Sequence, residues 1–445
     1  MPSVASSEFG GRLHLSGLVS VVLMLYLSAH GYIPFLMPVD TVGDADGTVG
    51  ITAQALFLVV LTVLALPYAK RLMSVMRLAA PVLGLAVLSV LSTAWSQDPA
   101  ITFRRSVMLL GPTVFALFLH VRYGYRRQLQ LLLLAGICAA ALSLALCVAF
   151  PSVGLDPSMN DGSWQGIFPQ KNVCARACVF FALPAVVLWG RSAQRTAAAT
   201  LAFVLLGALL FKAHSATGLI LMGVAVLATL SMRLLRKLRA NESVVFCTVL
   251  IACVMGGLSF VASKFAEVAL IFGKDSTLTG RTSIWAGALQ AILKHPVLGY
   301  GYSAFWLGLR GESANIVLAT KWMVPTAHDG FLDLWLQLGA VGFALFSISL
   351  WQGCSAAVWC LRHVGWEAAE WGAGIMLMTI LYNLDETSLM LPRELLWVLY
   401  CLAFVNLRAM RFEARSRRAE QVHVHAAADV EPLVEVSWPE PVGVR

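Results

Sequence analysis

Gly280-Arg281-Thr282, His295-Pro296, Gly299-Tyr300-Gly301 and His328-Asp329-Gly330 share one polar stretch, Ser263–Gly330, in a chain otherwise built from apolar runs. These residue types can do definite chemistry. An imidazole can take a proton from a hydroxyl near neutral pH, which makes His328 the candidate general base. Arg281 opens a segment with helical spacing (Ile284, Trp285, Ala288, Leu289, Ile292) that His295-Pro296 stops. A guanidinium at a helix N-terminus suits a phosphate, because free N–H groups and the helix dipole already favour an anion there. Trp285 reads as the interfacial anchor of an amphipathic helix on the outer leaflet. Tyr300 offers an aromatic face for a sugar ring. The plainer readings of the same residues are a helix-entry turn capped by Asp329 and a snorkelling arginine.

Other polar groups gather at the ends of apolar runs. Lys171 and Asn172 follow Trp164-Gln165-Gly166-Ile167-Phe168-Pro169-Gln170, and Arg176 lies within the next apolar run, where a charge needs a partner or an anionic ligand. Asp333 is a second charge of that kind. Lys212 and His214 stand where two runs meet, and Arg104 and Arg105 follow Trp95-Ser96-Gln97-Asp98-Pro99. Snorkelling explains any one of these cations, and explains less well why all share one face. In Tyr382-Asn383-Leu384-Asp385-Glu386, the acid Glu386 reads first as an ion-pair partner for a basic residue. Asp44-Ala45-Asp46 is the only acidic pair at metal-like spacing and reads as an acidic loop, so no metal and no cofactor are expected. Cys174 and Cys178, one turn apart in an apolar run, read as packing thiols.

The elements that position these groups are membrane helices. The chain is 59% hydrophobic and 13% charged, with a mean hydropathy of +0.77, which excludes a soluble globular protein. Apolar runs near 15–37, 51–69, 78–96, 106–121, 128–150, 172–189, 197–213, 216–233, 244–262, 331–359, 368–384 and 394–409 are each long enough to cross a hydrocarbon core. Backbone groups in lipid must be satisfied within the segment, so these are helices. The fold class is therefore all-α: a polytopic membrane protein of about 12 transmembrane helices with one large outer loop. Residues 1–262 and 331–409 form the helical parts, 263–330 the periplasmic loop and 410–445 a disordered cytoplasmic tail.

Basic residues orient the bundle. Arg122, Arg126 and Arg127, Arg191 and Arg195, Arg233, Arg236, Lys237 and Arg239, and the Arg408–Arg418 cluster lie in alternate connections. The positive-inside rule then puts both termini in the cytoplasm and the long loop outside. The net charge of +8 reflects this bias and not nucleic-acid binding. Polar groups concentrated at one face, without paired broken helices, favour an enzyme over the rival class, a transporter or flippase.

The ordered motifs carry a family resemblance. Trp95-Ser96-x-Asp98-Pro99 with Arg104-Arg105-Ser106, Trp164-x-Gly166-Ile167-Phe168-x-x-Lys171-Asn172, Gly280-Arg281-Thr282-x-x-Trp285, His295-Pro296-x-Leu298-Gly299-x-Gly301, His328-x-Gly330 and Asn383-Leu384-x-Glu386 resemble the O-antigen ligase and exopolysaccharide polymerase (Wzy-like) superfamily, in its exopolysaccharide-production branch. The resemblance implies a C-type glycosyltransferase in a bacterial inner membrane, acting without metal or nucleotide sugar. Its implied partners are an undecaprenyl-pyrophosphate-linked oligosaccharide, an acceptor glycan, and a chain-length regulator and flippase. Arg281, Lys171 and Lys212 would hold the pyrophosphate, and His328 would deprotonate the acceptor. Two residues depart from the family pattern. Asp329 stands where relatives carry Asn, and a carboxylate aimed at His328 would favour its protonated form. Lys212 precedes the Ser215/Thr217 pair that usually flanks the basic residue.

Overall fold

A computed structural model describes residues 14–37, 48–157, 161–235, 237–238, 242, 281–364 and 367–428. The expected span 244–262, the loop up to Gly280, the Asp44/Asp46 pair and the end of the tail lie outside the described residues. The described chain is helical, with two isolated bridges and no sheet. Its helices are α1 (Leu15–Ser28), α2 (Thr48–Ala65), α3 (Ala69–Val75), α4 (Ala80–Leu91), α5 (Pro99–Arg122), α6 (Tyr125–Ala149), α7 (Lys171–Leu188), α8 (Ala193–Lys212), α9 (Ala216–Leu235), α10 (Arg281–Lys294), α11 (Ser313–Thr320), α12 (Gly330–His363), α13 (Glu367–Asn383) and α14 (Leu395–Ala428). Every expected span except 244–262 falls on one of them. Among the described residues, eight helical segments are long and apolar enough to cross a membrane.

Two boundaries differ from expectation. α1 ends at Ser28, because His30 (φ 56°) and Gly31 (φ 77°) turn the chain out of the helix. The tail expected to be disordered from residue 410 instead continues α14 to Ala428. Its arginines dock back on α12: Arg408 donates to Gln352 at 2.8 Å, and Arg415 and Arg418 lie over the Trp359 ring. The charged heads themselves rest over an aromatic ring, a cation–π contact that a composition-based expectation of disorder does not register.

α7 and α14 form the centre. Nearly all of α7 is buried, and Cys174 and Cys178 pack there as free thiols. At the end of the bundle reached by Leu188 and Leu235, Glu370 pairs with Arg191 at 2.7 Å and Arg233 at 3.3 Å, and Glu367 with Arg195 at 3.4 Å. The polar motifs sit at the opposite end, where α7, α9 and α12 begin.

α12 is two helices joined at Gly339, whose backbone (φ 62°, ψ −165°) leaves the helical region. The break strands carbonyls and N–H groups that a continuous helix would pair, and residues 296–301 take them up. Tyr300 N donates to Leu336 O at 2.8 Å and Gly301 N to Gln337 O at 3.0 Å. In return, Ala340 N donates to Pro296 O at 2.8 Å. Backbone meets backbone here: a Cβ on Gly299 would lie 2.6 Å from Leu336 O, and one on Gly339 2.2 Å from Val297 O. Both residues also have positive φ, so glycine is needed twice over. The Trp95 motif locks the same loop from its other side, through Trp95 Nε1 to Leu298 O (3.0 Å) and Gln97 N to Tyr300 O (3.0 Å). Gly299→Ala should therefore destabilise the protein by about 1–3 kcal/mol. Thermal unfolding of the detergent-solubilised variant, read beside Gly207→Ala where a Cβ meets nothing within 4 Å, checks this: only the first should lower the midpoint.

Candidate functional site

The turn before α12 is built to hold His328 in an uncommon conformation. His328 has φ 51°, in the left-handed region, which costs a non-glycine residue free energy unless neighbours fix it. Three do. Trp285 Nε1 donates to Ala327 O at 2.9 Å. The buried Asp333 carboxylate accepts from Ala327 N at 3.0 Å, from Trp306 Nε1 at 2.6 Å and from the Thr387 hydroxyl. Asp329 caps α12, accepting from Phe331 N and Leu332 N at 2.9 Å. Asp329 is thus spent on the helix and not on the imidazole, and its own carboxyl is pushed above the usual range by burial. Asp333 faces protein, as an acid inside an apolar run must.

Gly330 brings the second motif to the first. A Cβ there would lie 2.2 Å from Asn383 Oδ1. The same oxygen accepts from Ser388 N at 2.9 Å and Ser388 Oγ at 3.0 Å, closing the turn after α13. That turn delivers Glu386 to His328, with Oε2 3.0 Å from Nδ1. A carboxylate only accepts, so Nδ1 carries a proton, and in the neutral imidazole Nε2 is then the lone-pair nitrogen. Nε2 is buried and has no hydrogen-bond partner among the described residues. Trp322 stacks on the imidazole, with centroids 5.6 Å apart and planes at 21°.

Arg281, the first residue of α10, reaches the same carboxylate. Its Nη2 lies 3.4 Å from Glu386 Oε1, while Nη1 donates to Asp385 Oδ1 at 2.6 Å and Asp385 O at 2.7 Å. Thr217, at the start of α9, donates to the other Asp385 oxygen at 2.7 Å. Glu386 therefore bridges the candidate base and the candidate anion ligand.

Both line one cavity of about 890 Å³, together with Lys171, Asn172, Arg176, His214, Trp322, Tyr382 and Glu386. Its wall includes the first turn of α9, which packs closely because a Cβ on Gly218 would meet Leu210 at 2.7 Å. Each cation in the wall is already matched. Arg176 pairs with Glu394 at 3.1 Å, where His30 also converges, and lies over the Tyr382 ring. Lys171 pairs with Asp161 at 3.3 Å. The surplus of bare positive charge expected from the sequence is not what the cavity wall presents.

Four expected site residues lie elsewhere. Arg105 donates to Ser303 O at 2.8 Å and fastens the loop to α5. Tyr300 is buried with its hydroxyl on Ala291 O, so no ring face is open to a sugar, and burial pushes the phenol up to about 12. Trp285, half-buried on α10, braces Ala327 through its indole N–H and does not line the cavity. Lys212 stacks over Trp164 at 5.7 Å, outside the cavity lining. Asp161, Trp322 and His30 were not singled out from sequence. Only Asp161 had a signal, the Asp161-Gly162-Ser163 turn leading into the Trp164 motif.

A family model described as O-antigen ligase matches residues 201–347, which include His214, Arg281 and His328. The chain is also 29% identical over 282 residues to the exopolysaccharide production protein ExoQ of Rhizobium meliloti, across 60% of this chain and 63% of that protein. The match thus spans less than two thirds of the curated relative's length. Both similarities support the resemblance to the Wzy-like superfamily, and to its exopolysaccharide branch, that the ordered motifs carry.

Asp333→Asn tests the bracing of His328. An amide would turn an NH₂ donor toward groups that are themselves donors, at a cost of about 2 kcal/mol. Thermal unfolding should show a lowered midpoint; an unchanged midpoint would mean that the turn is held without this carboxylate.

Proposed function

We propose that the chain joins glycan units carried on undecaprenyl pyrophosphate at the outer face of a bacterial cytoplasmic membrane, with exopolysaccharide polymerisation favoured over ligation to a lipid or protein. The observation that carries this reading is that His328, its Nδ1 on Glu386 and its Nε2 without a partner among the described residues, lines one cavity with Arg281. The similarity to an O-antigen ligase model and to an exopolysaccharide production protein supports the same class. The orientation is supported by the arginines at the opposite end, Arg191, Arg195 and Arg233, which lie where the positive-inside rule expects cytosolic charge.

In this reaction the acceptor hydroxyl oxygen attacks the anomeric carbon of the donor glycan. Its proton passes to His328 Nε2, and Glu386 stabilises the imidazolium that results. The bond from the anomeric carbon to the diphosphate breaks, and the electron pair leaves on the lipid diphosphate. Arg281, with the N-terminal turn of α9, offsets the charge that develops on that leaving group.

Arg281→Ala and His328→Ala should each abolish polymer in cells while membrane levels of the protein stay normal; normal polymer in both variants removes the mechanism. With purified protein and lipid-linked donor, added chelator should leave turnover unchanged, whereas a requirement for a divalent ion would redirect attention to Asp44 and Asp46. Glu386→Gln keeps the shape but presents a weaker acceptor to Nδ1. Turnover should fall on the order of 10²-fold, and a rate within a factor of about two of wild type would show that His328 does not depend on this carboxylate.

A further inference from the structure

The cavity has a second cluster that the proposed reaction does not use. Asp161, His214 and Lys171 all line it, and the two basic side chains converge on one Asp161 oxygen. Asp161 Oδ1 is occupied, accepting from Ser163 N at 3.0 Å and Ser163 Oγ at 2.5 Å. Oδ2 has weaker company, Lys171 Nζ at 3.3 Å and His214 Nδ1 at 3.9 Å. With its side chain 47% exposed, the carboxylate keeps an open acceptor site toward the cavity.

We propose that this end of the cavity is the subsite for the acceptor glycan, with Asp161 accepting hydrogen bonds from hydroxyls of an uncharged sugar ring. The inference rests on the reading of the cavity as a glycan-transfer site and adds where the attacking partner lies. A carboxylate repels a diphosphate and suits hydroxyl donors, since it only accepts; Arg281 stands beside carboxylates too, and its planar donor fork is what equips that end for a diphosphate. It does not escape the conflict by taking up a proton: the Ser163 hydroxyl first, then the Ser163 N–H and Lys171, hold its carboxyl down at about 2. At pH values above that, the group is ionised and its charge stays in place. The diphosphate is thereby directed toward Arg281 and the sugar toward Asp161, and His328 lines the same cavity. Asn172 on the same wall offers amide donors and acceptors to the ring. The cavity volume of about 890 Å³ falls within the roughly 300–1,000 Å³ of small-molecule sites, so it has room for both reacting ends.

The test is direct binding to the full chain in lipid nanodiscs, without turnover. One probe is a fluorescently labelled oligosaccharide cut from the exopolysaccharide of the cells that make the protein; the other is inorganic pyrophosphate. Asp161→Asn should weaken oligosaccharide binding about tenfold, as loss of hydrogen bonds to a charged acceptor does, and should leave pyrophosphate binding equal or tighter. Unchanged oligosaccharide affinity overturns the proposal. Weaker pyrophosphate binding with the oligosaccharide unaffected also overturns it, and makes Asp161 a positioning residue for Lys171. Absence of oligosaccharide binding by the wild type overturns it as well. Failure of the transfer reading would appear elsewhere, as polymer still made by the His328→Ala variant.

Discussion

The backbone exchange at Gly339 is the constraint on which the site depends. A continuous helix from Gly330 to His363 would keep its own hydrogen bonds and offer the loop nothing to bind. Broken at Gly339, it presents Leu336 O and Gln337 O to Tyr300 and Gly301, and receives Pro296 O in return. The loop in turn carries Phe305 and Trp306, and the Trp306 indole fixes Asp333. Asp333 fixes Ala327, and Ala327 precedes the base. A chain of short, mostly buried contacts therefore runs from a helix break to the imidazole, each made of groups that would be costly to leave unpaired.

Charge is arranged just as tightly. Lys171, Arg176 and Arg281 face Asp161, Glu394, Asp385 and Glu386, so the wall has no excess of cations. Bare charges in so enclosed a place would carry a large desolvation cost, and pairing offsets it. Under the proposed reaction, a diphosphate arriving here would exchange one anionic partner of a guanidinium for another. The net gain in binding is then smaller than the Coulomb attraction alone suggests. That is useful to a transferase, because binding that holds substrate and transition state equally does not speed the chemistry.

The sequence made the helices and the order of the motifs legible because both are local properties. Apolar runs of membrane-spanning length fall on helices throughout the described residues, and Arg281 with the Ile284–Ile292 spacing does lie on a helix. His328, Glu386 and Arg281 were also visible, since they are chemically conspicuous types near helix ends. Their mutual contacts were not, because Glu386 lies 58 residues from His328 and the two meet only through the packing of Gly330 on Asn383. Arg105, Trp285 and Tyr300 were misplaced for a related reason. A cationic or aromatic side chain at a helix end serves equally well to bind a ligand or to fasten a neighbouring loop, and local sequence does not separate the two uses. The tail failed on composition: Arg415 and Arg418 look solvated in a list of residues, yet their guanidinium groups lie over Trp359.

Glu386 explains why base and anion ligand are built as one unit. One oxygen serves Arg281 at 3.4 Å and the other serves His328 at 3.0 Å. In the apo arrangement the guanidinium draws on the carboxylate's charge and so weakens its hold on the Nδ1 proton. A diphosphate that engages Arg281 relieves that draw and leaves more of the charge to the imidazole. Under the proposed reaction, the lone pair on Nε2 then becomes a better proton acceptor when the leaving group is in place. Two separate carboxylates would fix the same geometry but would not link donor occupancy to the strength of the base. Sharing one carboxylate couples them through a contact shorter than the reach of screening at physiological salt, about 8 Å.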